Sequence, residues 1–317
     1  NYTYDLLFAM GGNMAPSMGG YYTTWENYGR QSSQGFEWIL THRNKFIIAS
    51  KPFNYNISAN MTYSTNKWLR YPDSPNSMEW RKVVGTSVDA YSAWVADGLY
   101  RTEEEIDNSA WYSGSRPNLG DIRYKDLNGD GQIDEQDKTR IGRSNRPQIM
   151  AGLNIGANWN GFDCNVQFTG GFKFDVSLLG TYYNGYDDNT IWSQTFKEGA
   201  NSPLWLVQKS YSIDNPNGEY PRITLGNTTH GGNNGLASTF WMKKGDYVRL
   251  KSVQLGYTLP QAWMNTIGLT RIRLYIEGSN LFTIDNLPEG VDPESPRVNN
   301  GYYPQQRTFM GGVSVTF

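Results

Sequence analysis

The stretch Asp126-Leu-Asn-Gly-Asp-Gly-Gln-Ile-Asp-Glu-Gln-Asp137 concentrates the most specific chemistry in the chain. Side-chain oxygens fall at loop positions 1, 3 and 5, as Asp126, Asn128 and Asp130. Gly131 takes position 6, where the chain must turn sharply. Gln132 offers its carbonyl at position 7, and Asp134 stands at position 9. This is how an EF-hand loop presents hard oxygen ligands to Ca²⁺. Asp137 closes the loop where an EF-hand has a bidentate Glu; its shorter arm implies a weaker site. The expected cofactor is Ca²⁺ in a structural role, because nothing nearby suggests redox or hydrolytic chemistry. A solvated Asn/Asp/Gly turn without metal shares the pattern.

A second group could contact a ligand without transforming it. Tyr182, Tyr183, Tyr186, Asp187, Asp188, Trp192 and Trp205 set aromatic rings beside acids in one loop region. Rings stack on sugar faces while carboxylates bond hydroxyls, and rings also pack loops. Of these, Tyr182, Tyr183, Tyr186, Asp187 and Trp192 are the candidate substrate contacts. Adjacent Asp187 and Asp188 resemble a glycosidase dyad only in composition, since that chemistry needs two carboxyls flanking a bond. His42 and His230 are too few for a zinc site. No nucleophile elbow, P-loop or dinucleotide fingerprint is present. The chain does not read as an enzyme.

Composition bounds the elements that hold these groups. The 317 residues suffice for one large β domain or two ordinary ones. Lys and Arg number 28 against 30 Asp and Glu, so no nucleic acid partner is implied. Hydrophobic content is 38% yet aromatic content 15%, a balance that suits strands with only one apolar face. No apolar run is long enough for a transmembrane helix. The single cysteine, Cys164, excludes an intrachain disulfide. Asn1 opens straight into strand-like sequence without a signal peptide, so a fragment lacking its N-terminal part is expected.

Period-2 alternation marks strands at 2–9, 35–45, 52–66, 149–159, 162–172, 246–259, 270–282 and within 305–317. In the last, Phe309, Gly311, Val313, Val315 and Phe317 share one face. In 270–282, Ile272, Leu274 and Ile276 oppose Arg271, Arg273 and Glu277, whose expected role is pairing between strands. The phase changes near Lys251–Ser252, which predicts a β-bulge there. Connections 46–51, Asn160-Gly161 and 260–269 are short, whereas 10–34, 67–146, 175–238 and 284–304 are long. Short and long alternate strictly, as the periplasmic turns and extracellular loops of an outer-membrane barrel do. The fold class is therefore all-β, a transmembrane antiparallel β-barrel with long extracellular loops. The alternative is a soluble calcium-dependent carbohydrate-binding β protein.

The run Gly120-Asp-Ile-Arg-Tyr-Lys-Asp-Leu-Asn-Gly-Asp-Gly-Gln-Ile-Asp134, then Ile141-Gly142, Pro147 and Gly152-Leu153-Asn154, resembles the C-terminal region of SusC/RagA-type TonB-dependent transporters of Bacteroidetes. So do Asn27-Tyr28-Gly29, Gly35-Phe36-Glu37-Trp38, Tyr247 to Pro260, Asn280-Leu281-Phe282-Thr283 and Tyr303 to Thr308. The resemblance covers essentially residues 1–317 in order, as the C-terminal part of one receptor barrel domain. It implies the last eight strands of a plugged barrel of about 22. It also implies a SusD-like surface lipoprotein as a lid, the TonB complex as energy source through a missing N-terminal part, and an oligosaccharide or peptide as cargo. The implied place is the bacterial outer membrane, with lipid against the apolar face.

Overall fold

A strand with one apolar and one polar face needs two different surroundings, and the chain lays eight such strands side by side. A computed structural model describes residues 1–9, 25–112, 116–143, 146–178, 204–223, 233–295 and 305–317. The wall strands are β1 (Tyr2–Ala9), β2 (Trp25–Ile48), β3 (Lys51–Arg70), β4 (Ile149–Trp159), β5 (Phe162–Phe172), β6 (Tyr247–Thr258), β7 (Arg271–Asp285) and β8 (Thr308–Thr316). They form one sheet in sequence order, antiparallel throughout, with β1 and β8 at its edges.

The register carries the alternation across the sheet. Phe46, Phe53, Trp159, Phe162, Tyr257, Leu274 and Val313 are successive cross-strand partners from β2 to β8. One residue along, Asn54, Asn158, Asp163, Gly256, Tyr275 and Gly312 make the corresponding row of the other face. A one-residue slip would exchange the faces, so the pattern and the pairing fix each other. The bulge lies where the phase change puts it. Gln167 pairs with Ser252 but Phe168 pairs with Leu250, leaving Lys251 as the extra residue.

Two strands outrun their expected bounds. β2 has 24 residues and β3 has 20, against the 9–11 or so that cross a bilayer. Residues 25–34 lack an apolar face, so alternation could not reveal them, yet their backbones complete the ladder beyond the apolar band. The hairpins are tight. Ala49 and Ser50, and Asn160 and Gly161, all have positive φ, the geometry of a two-residue turn matched to strand twist. The third short connection is not an open turn. It holds helix α3 (Gln261–Ile267), begun after Pro260 and ended by left-handed Gly268.

The antiparallel order puts these three connections at one end and all long ones at the other. The buried core is at that other end. Trp94, Leu99, Ile122, Tyr124, Ile133, Leu178, Leu206, Tyr220 and Trp241 come from the long connections and pack into one cluster. Short helices α1 (Glu103–Asp107) and α2 (Leu204–Lys209) belong to this cap. By contrast, wall residues of the apolar face stay open: Ile276 is 63% and Val313 64% exposed.

Candidate functional site

The polar face of the wall is a candidate contact surface, and on its β5–β7 part an ion pair is set into a hydrogen-bonded network. Arg273 on β7 grips Asp163 two strands away through Nε–Oδ1 at 2.9 Å and Nη2–Oδ2 at 2.5 Å. Its Nη2 also donates to Gln254 Oε1 at 2.8 Å, and Gln254 Nε2 donates to Glu277 at 2.8 Å. The fork-to-carboxylate geometry is the strong form of an ion pair. It requires Gly256 between them, because a Cβ there would stand 2.5 Å from both Arg273 Nη2 and Asp163 Oδ1. The expected pairing role of Arg273 and Glu277 is therefore observed. Arg271 makes a 3.4 Å bond to Thr258 Oγ1. Beside this network, β3 to β5 present Asn54, Asn56, Ser58, Asn60, Asn154, Asn158, Asn165 and Gln167, uncharged amides and a hydroxyl.

Nearer the cap, Arg249 is 3% exposed and holds a strap formed by residues 286–295. Its Nη2 donates to Asp292 Oδ1 at 2.7 Å, its Nη1 to Glu294 Oε2 at 2.8 Å, and its Nε to Thr283 Oγ1 at 2.8 Å. Lys251 Nζ adds a 3.2 Å bond to the same Glu294 oxygen. The bulge permits this, because it turns the extra residue to the face that Arg249 occupies. The strap also reaches the cap, where Trp205 Nε1 donates to Glu289 O at 2.9 Å and Val291 packs on the core.

Inside the cap, Asp121 is the polar hub. It accepts from Arg222 Nε at 2.6 Å and Asn234 Nδ2 at 2.9 Å, while Asn234 Oδ1 accepts from Ile122 N at 2.9 Å. Burial shapes titration here. It pushes the Tyr124 hydroxyl well above the usual tyrosine range and Lys243 below the usual lysine range. The Lys243 ammonium sits 5.5 Å from the Phe240 ring centroid and 5.8 Å from that of Tyr220. Sequence reasoning missed Asp121, Arg222 and Arg249. Their partners lie tens of residues away, and spacing cannot report such pairs.

The 126–137 loop is placed as a self-bonded turn. Asp126 accepts from Gly129 N at 2.6 Å and Gly131 N at 2.8 Å, through different oxygens. Asp130 accepts from Gln132 N at 2.9 Å and from Asn128 Nδ2 at 2.8 Å. Asp134 caps the short 3₁₀ turn Glu135–Asp137 by accepting from Gln136 N. Asp137 is fully buried, and accepts from Leu127 and Asp134 N at 2.8 Å and from Asn128 N at 3.4 Å. Among the described residues, no group of three or more His, Cys, Asp or Glu side chains is gathered for a metal ion. The donor set nonetheless suits a hard cation. Each carboxylate of Asp126 and Asp130 keeps lone pairs beyond the N–H bonds it accepts. Asp137 keeps the fewest.

Tyr182, Tyr183, Tyr186, Asp187, Asp188 and Trp192 lie outside the described residues, as does His230. Trp205 is described and is a packing residue, its ring 5.3 Å from that of Tyr220.

No family model matches the chain. TonB-dependent receptor P3 of Formosa agariphila is 26% identical over 343 residues, covering 99% of this chain and 31% of that protein. TonB-dependent receptor P26 of the same organism is 25% identical, covering 99% and 32%. The solved structure of the RagAB peptide transporter superposes on 100% of this chain and 32% of its own, with TM-score 0.64 at 18% identity, and so shares the fold. The chain spans about a third of the length of the relatives it matches. With its single antiparallel wall, its short turns at one end and its capped loops at the other, the chain is similar to these TonB-dependent receptors over the third of their length that it spans, and it shares the fold of the RagAB transporter structure.

Proposed function

We propose that this chain forms the C-terminal eight strands of an outer-membrane importer of about 22 strands. On this reading it is the SusC-like component of a nutrient uptake complex. A SusD-like surface lipoprotein covers the loop end, a plug fills the lumen and TonB supplies the energy. The cargo is an oligosaccharide or a peptide. The observation that carries the reading is the wall itself. One face is apolar across seven partnered strands, and every long connection leaves from the same end. Lipid on one face and a polar lumen on the other satisfy that division.

The function on this reading is vectorial transport without covalent chemistry. The amide and hydroxyl carpet of β3–β5 offers donors and acceptors without fixed charge. The Arg273–Asp163 clamp neutralises the charges that would otherwise hold a passing ligand too firmly. The Asp126–Asp137 loop would take one Ca²⁺ through Asp126, Asn128, Asp130, the Gln132 carbonyl and Asp134, with Asp137 holding the loop closed. A soluble carbohydrate-binding protein would have to cover the apolar face. Among the described residues no second layer packs on it.

The test is fractionation and uptake with the full-length receptor. It should resist alkaline carbonate extraction, require detergent, and take up labelled oligosaccharide or peptide only in cells with an intact TonB. Release by carbonate, or uptake unchanged without TonB, overturns the reading.

A further inference from the structure

At the hairpin end of the wall, two rows of the apolar face differ in bulk. The row next to the Asn160-Gly161 turn is Phe53, Trp159, Phe162, Tyr257 and Leu274. The row behind it is Tyr55, Ala157, Cys164, Leu255 and Ile276, with small side chains at its centre. Trp159 and Phe162 are direct cross-strand partners, and such pairs ordinarily meet. Here they part. Trp159 leans toward the neighbouring turn and donates Nε1 to Ile48 O at 3.3 Å. Phe162 leans the other way onto Tyr257, ring centroids 4.5 Å apart. The space between them opens over Ala157 and Cys164, with Leu255 and Ile276 on its far side, as a slot of about 510 Å³.

We propose that this slot seats one acyl chain of a membrane phospholipid from the leaflet at the hairpin end. The inference rests on the wall being a membrane barrel. The slot is continuous with the lipid-facing belt, so lipid is what reaches it. An apolar gap left empty forfeits dispersion contacts along its lining, whereas a hydrocarbon chain restores them. A peptide segment would bring backbone N–H and C=O groups that this lining cannot satisfy. The end of the slot also suits a headgroup. Lys51 is exposed at the adjacent turn, on the same face as Phe53, and Trp263 of α3 is 61% exposed at the same end of the wall. Tryptophan and long cationic side chains favour that level of a bilayer.

The test uses the full-length receptor, purified from outer membranes in mild detergent and weighed by native mass spectrometry. Wild type should retain one phospholipid that survives delipidating washes. Cys164→Phe and Ala157→Leu, which fill the slot, should lose it. Val166→Phe, on the same face but off the slot, should keep it. Equal retention in all four, loss in all four, or detergent in place of lipid in the wild type overturns the proposal. A phospholipid with a diazirine in its acyl chain supplies a readout that needs no variant. It should label the 157–164 peptide of the wild type above other lipid-facing strands, and uniform labelling overturns the slot. A receptor that never enters the membrane fraction would instead refute the barrel reading.

Discussion

Replacing Arg249 by Met should release the 286–295 strap while leaving the wall intact. The side chain is 4% exposed and its partners Asp292 and Glu294 are each 18% exposed. Met fills much of the same volume, so the main change is electrical. Two carboxylates lose their charge-assisted contacts with one guanidinium, one each, while Lys251 stays beside Glu294. Breaking a buried pair from one side costs about 3–5 kcal/mol. Both acids keep some water access and can rotate outward, so the lower end, about 3 kcal/mol, applies. At 1.4 kcal/mol per decade, that is roughly a 100-fold rise in local opening.

The assay is amide hydrogen exchange on the receptor in detergent, read at Val291, Glu294 and Ser295. Their N–H groups bond Pro288 O, Asp292 Oδ1 and Asp292 O within the strap. Wall amides of β6 and β7 should exchange as in wild type, because the ladder does not depend on the guanidinium. Arg249→Lys should fall between, keeping the charge but losing the planar fork. Arg271→Gln is the control: it is exposed, its side chain makes a long bond to Thr258 and stands far from the strap, and exposed charges contribute within about 1 kcal/mol. A rise below about fivefold in Arg249→Met, near 1 kcal/mol, would refute the reasoning, because the strap would then be held by Val291 and Trp205 alone.

Four further outcomes are expected. Spin labels at Ile57, Val166, Leu274 and Ile276 should be quenched by lipid-soluble reagents, and labels at Asn56, Gln167 and Glu277 should not; equal quenching would sink the assigned faces. Asp137→Ala removes a buried carboxylate that accepts three backbone N–H groups, so it should cost about 1–3 kcal/mol and expose 126–137 to protease. Asp130→Ala should leave the loop folded and abolish any calorimetric heat of Ca²⁺ binding; no heat in the wild type would leave the loop a polar turn. Glu105 closes the capping box of α1, and its pKa is lowered chiefly by the bond from Arg101 N. A depressed carboxylate stabilises fully above its ordinary pKa and loses that contribution as pH falls through its folded value. Exchange protection of α1 should therefore hold near neutrality and fall below about pH 4.5, whereas Glu105→Gln should flatten that dependence.

How much of this was legible in the sequence depended on the range of the interaction. Strands 149–159 and 162–172 are recovered residue for residue, because alternation and an Asn-Gly turn are local signals. The bulge at Lys251 was legible for the same reason, since a phase change is a property of neighbours. The start of β2 was not, because residues 25–34 show no alternation of apolar and polar side chains. Helix α3 was hidden in a stretch too short to show a 3.6-residue period. The 126–137 loop was legible as a cluster of oxygens but not as a bonding pattern. Which carboxylate turns to a cation and which to an N–H is set by backbone dihedrals, including positive φ at Gly129 and Gly131.

The cap was the largest omission, and its cause is physical. A barrel wall needs no inner hydrophobic core, since the bilayer covers one face and polar groups satisfy the other. Long loops have neither support. To hold one shape in water they must bury side chains among themselves, which Trp94, Ile122, Leu206 and Trp241 do. Those residues come from connections that show no periodicity, and they meet only because the antiparallel wall delivers every long connection to one end. The wall thus brings the loop segments together, and the Arg249 strap ties the resulting cap back to it. On the proposed membrane reading, cap and wall answer to different solvents, and opening the cap need not disturb the ladder beneath it.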